Sequence, residues 1–219
     1  MTRLHSFLTA LSLAVLPAAA TAEGISLSFG ATLTSNYIFN SVTQTKNGAA
    51  LQPYVELDTG SFYSGLWFSN VAFGANKLET DIYAGIRGDF GGSSGMSYDL
   101  AYYRYYYDKK GDLGGELVAS FGYAISESTS FGTILKNDLI GGPLTVVLNG
   151  SHDFASGYGL SGRIGKPLTP GGSTYWDIGI GKSITDSVSV DLRYHDSDAT
   201  TPLYGVSLTW GTDWSSAGE

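Results

Sequence analysis

Residues 204–211 read Tyr-Gly-Val-Ser-Leu-Thr-Trp-Gly, and this stretch decides the fold because an apolar residue recurs at every second position. Successive side chains of a β-strand point to opposite faces, so the alternation predicts a strand with one apolar face and one polar face. The same period governs residues 78–87 and 188–194, and no segment shows an apolar stripe at helical spacing. The chain is therefore expected to be all-β.

The pattern predicts about twelve strands beyond residue 24, with ten as the other count that it permits. Short turns alternate with longer polar connections, of which 35–49 is the longest. An even number of strands joined in this way is typical of an outer-membrane barrel. Closure into a barrel would also remove the exposed strand edges of a long exported β-protein. We therefore expect a closed antiparallel transmembrane β-barrel. A soluble periplasmic β-protein is the alternative.

The composition excludes several classes of protein. Glycine accounts for 30 of the 219 residues and only 15% of the chain is charged, while aromatic residues are abundant. This balance is not that of a disordered chain. Twenty acidic residues against twelve basic ones leave no footprint for nucleic acid. The absence of cysteine excludes disulfides, thiolate zinc sites and a cysteine nucleophile.

The first 22 residues have the features of a secretory signal peptide. Arg3 supplies the positive charge, residues 8–16 the apolar core, and Ala20-Thr21-Ala22 a small-residue cleavage site. Beyond Glu23 no run of about 18 apolar residues occurs, which excludes a transmembrane helix there. The predicted organisation is a signal peptide over 1–22 and an outer-membrane barrel over 23–219.

The polar face of the strands is expected to line the barrel interior. It is rich in Gly, Ser, Thr and Tyr, which suits a confined lumen better than a soluble surface. The small side chains also argue against a fully packed interior. The ionisable residues predicted to line the pore are Glu56, Glu79, Asp81, Arg87, Asp99, Glu116, Lys136, Arg163, Asp177, Asp191 and Arg193. Their acidic excess predicts a modest preference for cations, unless the charges pair and fill the lumen.

Aromatic residues on the opposite parity fall near both ends of the strands. Such girdles are expected where aromatic rings meet the headgroup layers of a membrane. The predicted girdle residues are Phe62, Tyr98, Tyr158, Trp176, Tyr194 and Trp210. Arg104 also falls on this outward parity. Either it snorkels into headgroups, or a β-bulge reverses the register of its strand.

The stretch 35–45, Ser-Asn-Tyr-Ile-Phe-Asn-Ser-Val-Thr-Gln-Thr, resembles the first-loop signature of the TorF family of porins. Further similarities are Trp67-Phe68-Ser69-Asn70 and the spacing of Glu79, Asp81 and Tyr83. Asn40-Ser41 departs from the family, which usually has Arg-Gly at this point. The resemblance implies an outer-membrane β-barrel.

Two functions agree with these features, and no cofactor or metal is implied. The first is a narrow channel for passive diffusion of small cationic or neutral solutes. The second is a non-conducting structural or adhesive barrel that binds through its extracellular loops. An enzyme is not expected, because neither of the histidines His152 and His195 has a serine placed for catalysis. The expected partners are outer-membrane lipids, small solutes or ions, and the barrel-assembly machinery, which would recognise Val206, Leu208, Trp210 and Trp214.

Overall fold

The computed structural model describes residues 24–91 and 95–215, and the predicted signal peptide over 1–22 lies outside them. The described chain is all-β, as the period of its apolar residues predicts. Its strands are β1 (Ser26–Thr34), β2 (Ile38–Phe39), β3 (Val42–Thr43), β4 (Ala50–Asp58), β5 (Phe62–Asn70), β6 (Leu78–Asp89), β7 (Met96–Tyr107), β8 (Gly111–Ser126), β9 (Thr129–Asp138), β10 (Leu144–Asp153), β11 (Tyr158–Pro167), β12 (Tyr175–Ser183), β13 (Val188–Ser197) and β14 (Leu203–Ser215).

Twelve of these strands form a closed antiparallel barrel, which confirms the predicted fold and the larger of the two strand counts. Each barrel strand pairs with its neighbours in sequence, and β1 closes the ring by pairing with β14 from Ser26–Ser215 to Thr34–Ser207. Strands β2 and β3 stand apart as a two-stranded hairpin within the connection from β1 to β4.

The outer face of the barrel is apolar. Leu, Ile, Val and aromatic side chains that alternate along the strands remain exposed there, including Ile82, Leu117, Ile178 and Leu192. Because each barrel strand is paired on both sides, its backbone polar groups are satisfied within the ring. No helix long and apolar enough to cross a membrane occurs between residues 24 and 91 or between 95 and 215.

The connections divide between two ends of the barrel. The terminal end carries both ends of the described chain, the end of β6 and the start of β7, and the short connections 59–61, 127–128, 154–157 and 184–187. The loop end carries the connections 35–49, 71–77, 108–110, 139–143, 168–174 and 198–202. Strand β8 begins at Gly111, directly after the three-residue connection 108–110, and β14 continues to Ser215. Trp214 therefore belongs to the last strand, where it pairs with Leu27.

Arg104 lies on the outer face, and the suggested reversal of its register is wrong. The pairing of β6 with β7 runs without interruption through Arg104 and Ile82. The irregularity lies instead on the β8 side, next to Gly114, whose φ is 92°. Arg104 forms an ion pair with Asp112 and donates to the Tyr102 hydroxyl over 3.0 Å. A charged residue on the apolar face is thus neutralised by its own hairpin.

The seam between β1 and β14 generates a first prediction, because Gly30 and Gly211 face each other there. A Cβ atom on Gly30 would clash with the Trp210 carbonyl oxygen and lie 2.8 Å from the Cα atom of Gly211. Overpacking of this kind costs about 1–3 kcal/mol. We expect Gly30→Ala to lower the free energy of unfolding by that amount, measured by urea unfolding in detergent micelles.

Gly205→Ala, also on β14, is the matched control. A Cβ atom there would meet no atom nearer than 3.8 Å. Its unfolding free energy should stay within about 0.5 kcal/mol of the parent chain. Equal losses in the two variants would show that the β1–β14 seam is not closely packed.

Candidate functional site

The connection 35–49 folds over the loop end of the barrel, and we call it the mouth hairpin. Strands β2 and β3 pair through Ile38–Thr43 and Phe39–Val42, which leaves Asn40 and Ser41 as a two-residue turn. Both turn residues have positive φ, 47° and 61°. Positive φ at both positions is the signature of a type I′ turn, the form that matches the twist of paired strands. The mouth hairpin is therefore a short β-ribbon.

The mouth hairpin crosses the barrel opening. The Phe39 ring lies 5.3 Å from the Lys136 Nζ atom. Lys136 belongs to β9, which is six strands from β1 in both directions around the ring. At the turn, Ser41 Oγ donates to the carbonyl oxygen of Asp196 over 2.7 Å. The hairpin thus starts at β1, is hydrogen-bonded at its turn to β13, two strands away, and reaches β9 on the opposite side of the ring through Phe39.

Asn36 holds the base of the mouth hairpin. Its side-chain oxygen accepts from Thr43 Oγ1 at 2.6 Å and from Thr45 Oγ1 at 3.1 Å, while its Nδ2 donates to Asn47 Oδ1 over 3.1 Å. The Asn36 carbonyl oxygen accepts from Thr34 Oγ1, at the end of β1. The polar residues of the first-loop signature therefore build this ribbon.

Tyr37 joins the mouth hairpin to the near wall. Its hydroxyl bonds to Glu79 on β6, and its ring packs edge-on against Trp67 on β5 with centroids 5.5 Å apart. Burial, reinforced by the nearby Glu79 carboxylate, raises the pKa of Tyr37 well above its ordinary value. The phenol therefore stays protonated at neutral pH and acts as a donor.

The structure places all eleven ionisable residues of the predicted pore lining on the inner face of the barrel. Five acids and one base lie on β4 to β8: Glu56, Glu79, Asp81, Arg87, Asp99 and Glu116. Two acids and three bases lie on β9 to β13: Lys136, Arg163, Asp177, Asp191 and Arg193. The interior wall is thus divided into an acidic half and a more basic half.

Ion pairs bind most of the basic half together along the wall. Asp177 accepts from Arg163 Nε at 2.5 Å and from Arg193 Nη1 at 2.6 Å. Arg193 also donates to Asp191 Oδ1 over 3.1 Å and to Ser161 Oγ over 2.7 Å. These contacts join neighbouring strands and do not reach across the lumen. Lys136 is the exception, since its Nζ atom has no hydrogen-bond partner within residues 24–91 and 95–215.

Tyrosine hydroxyls and one arginine hold four of the five acids of the other half, all except Asp81. The predicted pore lining contains ionisable residues but no tyrosines, although the parity of these tyrosines along their strands is inward. Arg87 pairs with Glu56 at 2.8 Å and with Asp58. The tyrosine-to-acid hydrogen bonds run from Tyr63 to Asp99, from Tyr105 to Glu116 and from Tyr107 to Glu79. The alternation at 103, 105 and 107, in phase with Asp99, is the signal that marks the last of them as inward.

The interior is more filled than its glycine content suggests. A Cβ atom on Gly85 would lie 2.7 Å from the Tyr63 ring, and one on Gly179 would lie 2.7 Å from the Arg193 guanidinium. Inner glycines thus make room for neighbouring side chains that lie flat on the wall. A buried cluster also lines the interior, formed by Tyr63, Ala101, Tyr103, Val118, Ile134, Val147 and Tyr175. At these positions the small inner residues accommodate neighbouring side chains and do not leave free space.

The family assignment follows from a sequence comparison that covers nearly all of the barrel. Residues 18–215 match the profile of Gcw_chp, described as a bacterial protein of unknown function. The chain belongs to the Gcw_chp family. The comparison therefore assigns the chain to Gcw_chp and does not support the TorF name that the first loop suggested. No curated protein sequence matches the chain.

The Gcw_chp barrel is similar to solved porin structures. KdgM porin matches with a TM-score of 0.63 and 8% identity, over 84% of this chain and 98% of that chain. KdgM porin in complex with disordered oligogalacturonate matches with a TM-score of 0.61 and 8% identity, over the same shares of the two chains, 84% and 98%. At such identity the likeness shows a common fold.

The six aromatic residues predicted as membrane girdles lie on the outer face of the Gcw_chp barrel. Towards the loop end, Trp176 packs on Tyr194 with ring centroids 5.1 Å apart. Towards the terminal end, Trp210 packs on Phe29 at 6.0 Å, and Tyr158 lies under the Lys182 Nζ atom at 4.4 Å. The other two predicted residues, Phe62 and Tyr98, lie at the terminal end as well.

No group of three or more His, Asp or Glu side chains is arranged to hold a metal ion within residues 24–91 and 95–215. His152 bonds to Thr129 Oγ1 through Nδ1 at 2.9 Å, and His195 lies beside Asp177 with 3.9 Å between Nδ1 and Oδ2. The two histidines thus lie in separate parts of the wall, each beside a different partner.

Asn36 provides a test of how the mouth hairpin of this Gcw_chp protein is held. We expect Asn36→Ala to remove three hydrogen bonds at the base of the ribbon and to loosen it. Trypsin should then cleave after the exposed Lys46 at least about five times faster. Lowering the free energy of local opening by about 1 kcal/mol raises the population of the open ribbon by that factor.

Gln44→Ala is the matched control for the trypsin assay. Gln44 Nε2 makes one exposed hydrogen bond to the Val42 carbonyl oxygen, so its loss should leave the cleavage rate close to that of the parent chain. Equal rates in the two variants would contradict the role assigned to Asn36.

Proposed function

We propose that this protein is an outer-membrane channel for passive diffusion of small cationic or neutral solutes, narrowed at its loop end by the mouth hairpin. The observation that carries the proposal is an anchored hairpin lying across a charged barrel interior. The porin-type fold and the resemblance of the first loop to TorF-family porins support it.

The polar interior favours a channel over a barrel that serves as a scaffold alone. Burying an ionisable group without partners is costly, so a scaffold would be expected to fill its interior with apolar side chains. Lys136 Nζ and Asp81 Oδ1 instead have no hydrogen-bond partner among residues 24–91 and 95–215. Such groups are stabilised by water or by a polar solute in the lumen.

The number of strands and the filled wall indicate a small bore. Eight-stranded barrels are packed with side chains, whereas those with 16 strands hold an aqueous channel. Twelve strands lie between these cases, and the inner tyrosines reduce the space further. We therefore infer passage of small solutes and exclude a wide pore.

The charge of the interior supports a preference for cations. Seven of the eleven ionisable residues assigned to the pore lining are acidic. Low-dielectric walls concentrate the field of such charges and raise the local concentration of counter-ions. The acidic half of the wall, with its five acids and one base, is where this preference would arise.

The membrane setting completes the proposal. The apolar outer face and its aromatic residues suit lipid contact, and the predicted signal peptide would export the chain across the inner membrane, from where the barrel could reach the outer membrane. The loop end would then face the exterior. We infer that the last strand, with Trp210 and Trp214 on its outer face, is presented to the barrel-assembly machinery.

A second candidate is a non-conducting barrel that binds through its external loops. The buried cluster inside the barrel is the observation that favours it, because a filled lumen would block passage. The shortness of most loop-end connections argues against a large binding surface, since 108–110 spans three residues and 139–143 spans five.

Planar-bilayer recording distinguishes the two candidates. The chain from residue 23 onward would be refolded in detergent, and heat-modifiable gel migration would verify barrel closure. Under a KCl gradient we expect discrete conductance steps and a cation-selective reversal potential. A folded barrel that inserts without conducting would overturn the channel and favour the second candidate.

Replacing residues 38–43 with two glycines tests the constriction directly. Removal of the ribbon should raise the single-channel conductance at least about twofold, because the narrowest segment of a pore dominates its resistance. The matched control shortens the loop-end connection 168–174 by the same number of residues. An unchanged conductance in the first variant would show that the mouth hairpin does not narrow the path.

A further inference from the structure

Asp81 stands apart from the other acids of its half of the wall. Glu56 is held by Arg87, and Asp99, Glu116 and Glu79 are held by the hydroxyls of Tyr63, Tyr105 and Tyr107. Asp81 Oδ1 has no hydrogen-bond partner in residues 24–91 and 95–215, although the residue is only 3% exposed. A buried carboxylate without a donor is costly, so this position is suited to a donor that arrives from outside the wall.

Aromatic rings flank Asp81 on both neighbouring strands. Its cross-strand partners are Trp67 on β5 and Tyr105 on β7. The Tyr105 hydroxyl is engaged by Glu116, which leaves its ring beside Asp81. On the loop-end side, Tyr37 of the mouth hairpin packs on Trp67. The carboxylate thus lies among three aromatic side chains beneath the ribbon.

A second unpartnered oxygen lies next to Asp81 on the same strand. Glu79 is two residues away, so its side chain faces the same interior. Tyr107 donates to Glu79 Oε1, and the Tyr37 hydroxyl also bonds to this carboxyl group. The Oε2 atom has no partner in the described chain, which spans 24–91 and 95–215. Two carboxylate oxygens are therefore available, from Asp81 and Glu79, whose exposed fractions are only 3% and 4%.

The chemistry of these groups selects among cations. A divalent metal requires several oxygen ligands, and no cluster of three acids or histidines is arranged for one in residues 24–91 and 95–215. A primary ammonium has three N–H donors, which match two carboxylate oxygens and one further acceptor. Aromatic faces stabilise the same ion through cation–π attraction. The site therefore fits an organic ammonium better than a metal ion.

We propose that Asp81 and Glu79, enclosed by Trp67, Tyr105 and Tyr37, form a binding site for primary-ammonium solutes beneath the mouth hairpin. The proposal deepens the channel function and rests on it, since it names the class of solute that the narrow segment recognises. Asp81 is the principal acceptor, and Glu79 supplies its free Oε2 atom.

Tryptophan fluorescence of the refolded chain tests this site without any need for conduction. Trp67 faces the interior beside the site, whereas Trp176, Trp210 and Trp214 are exposed on the outer face. Propylammonium chloride should produce a saturable change in the emission. Tetramethylammonium chloride, which has no N–H donor, should bind at least about tenfold more weakly, equivalent to about 1.4 kcal/mol. Equal affinity for the two ions would overturn the proposed hydrogen bonding.

Variants locate the binding at Asp81. Asp81→Asn should weaken propylammonium binding at least about tenfold, a typical result of removing a charge-assisted hydrogen bond. Asp186→Asn removes the same charge from an exposed turn at the terminal end and should leave the affinity unchanged. Asp99→Asn removes a charge elsewhere in the lumen, so a loss equal to that of Asp81→Asn would overturn the site in favour of a general charge effect.

The outcome separates this proposal from the channel function. Saturable binding in a barrel that does not conduct would support the site while contradicting the channel. Conductance without saturable propylammonium binding would leave the channel and overturn the site. If Asp81→Asn does not refold, as judged by gel migration, the comparison of the two ions on the parent chain still decides the proposal.

Discussion

The hydrogen-bonded pairing of β1 with β14 is the constraint on which the rest of the structure depends. It removes both free edges of the sheet, so every barrel strand has two neighbours and the backbone needs no partner outside the ring. Once the ring is closed, alternate side chains are divided between an exterior and an interior. The apolar set then faces outward, and most ionisable side chains of the strands face the lumen, while Arg104 on the outer face pairs with Asp112.

Confinement explains how the interior is organised. Charged side chains inside a narrow ring need partners, and the wall provides them locally through the Asp177 network with Arg163 and Arg193. Tyrosines perform the same task for the acids, and inner glycines such as Gly85 give their rings room. Two of the groups that have no hydrogen-bond partner within residues 24–91 and 95–215, Asp81 Oδ1 and Lys136 Nζ, lie near the loop end where the mouth hairpin crosses.

The sequence predicts the strands and their faces because both follow from a local period of two. The path of residues 35–49 is not predictable in this way, since its anchor joins Ser41 to Asp196, which are 155 residues apart. The crowding of the inner wall is not predictable either, because composition cannot show that the Tyr63 ring lies against Gly85. The placement of the eleven ionisable residues on the inner face needed only parity, whereas their pairing depends on contacts between strands.

The most direct test of the account is whether the mouth hairpin lies across the lumen in the folded barrel. The chain has no cysteine, so Phe39→Cys and Lys136→Cys introduce a unique pair of thiols opposite each other. With a short bifunctional thiol reagent, the account predicts an intramolecular cross-link in the refolded barrel, seen as a change in the migration of the denatured chain. A folded barrel with no cross-link, in which the thiol at position 39 reacts freely with a large maleimide-polymer reagent, would contradict it.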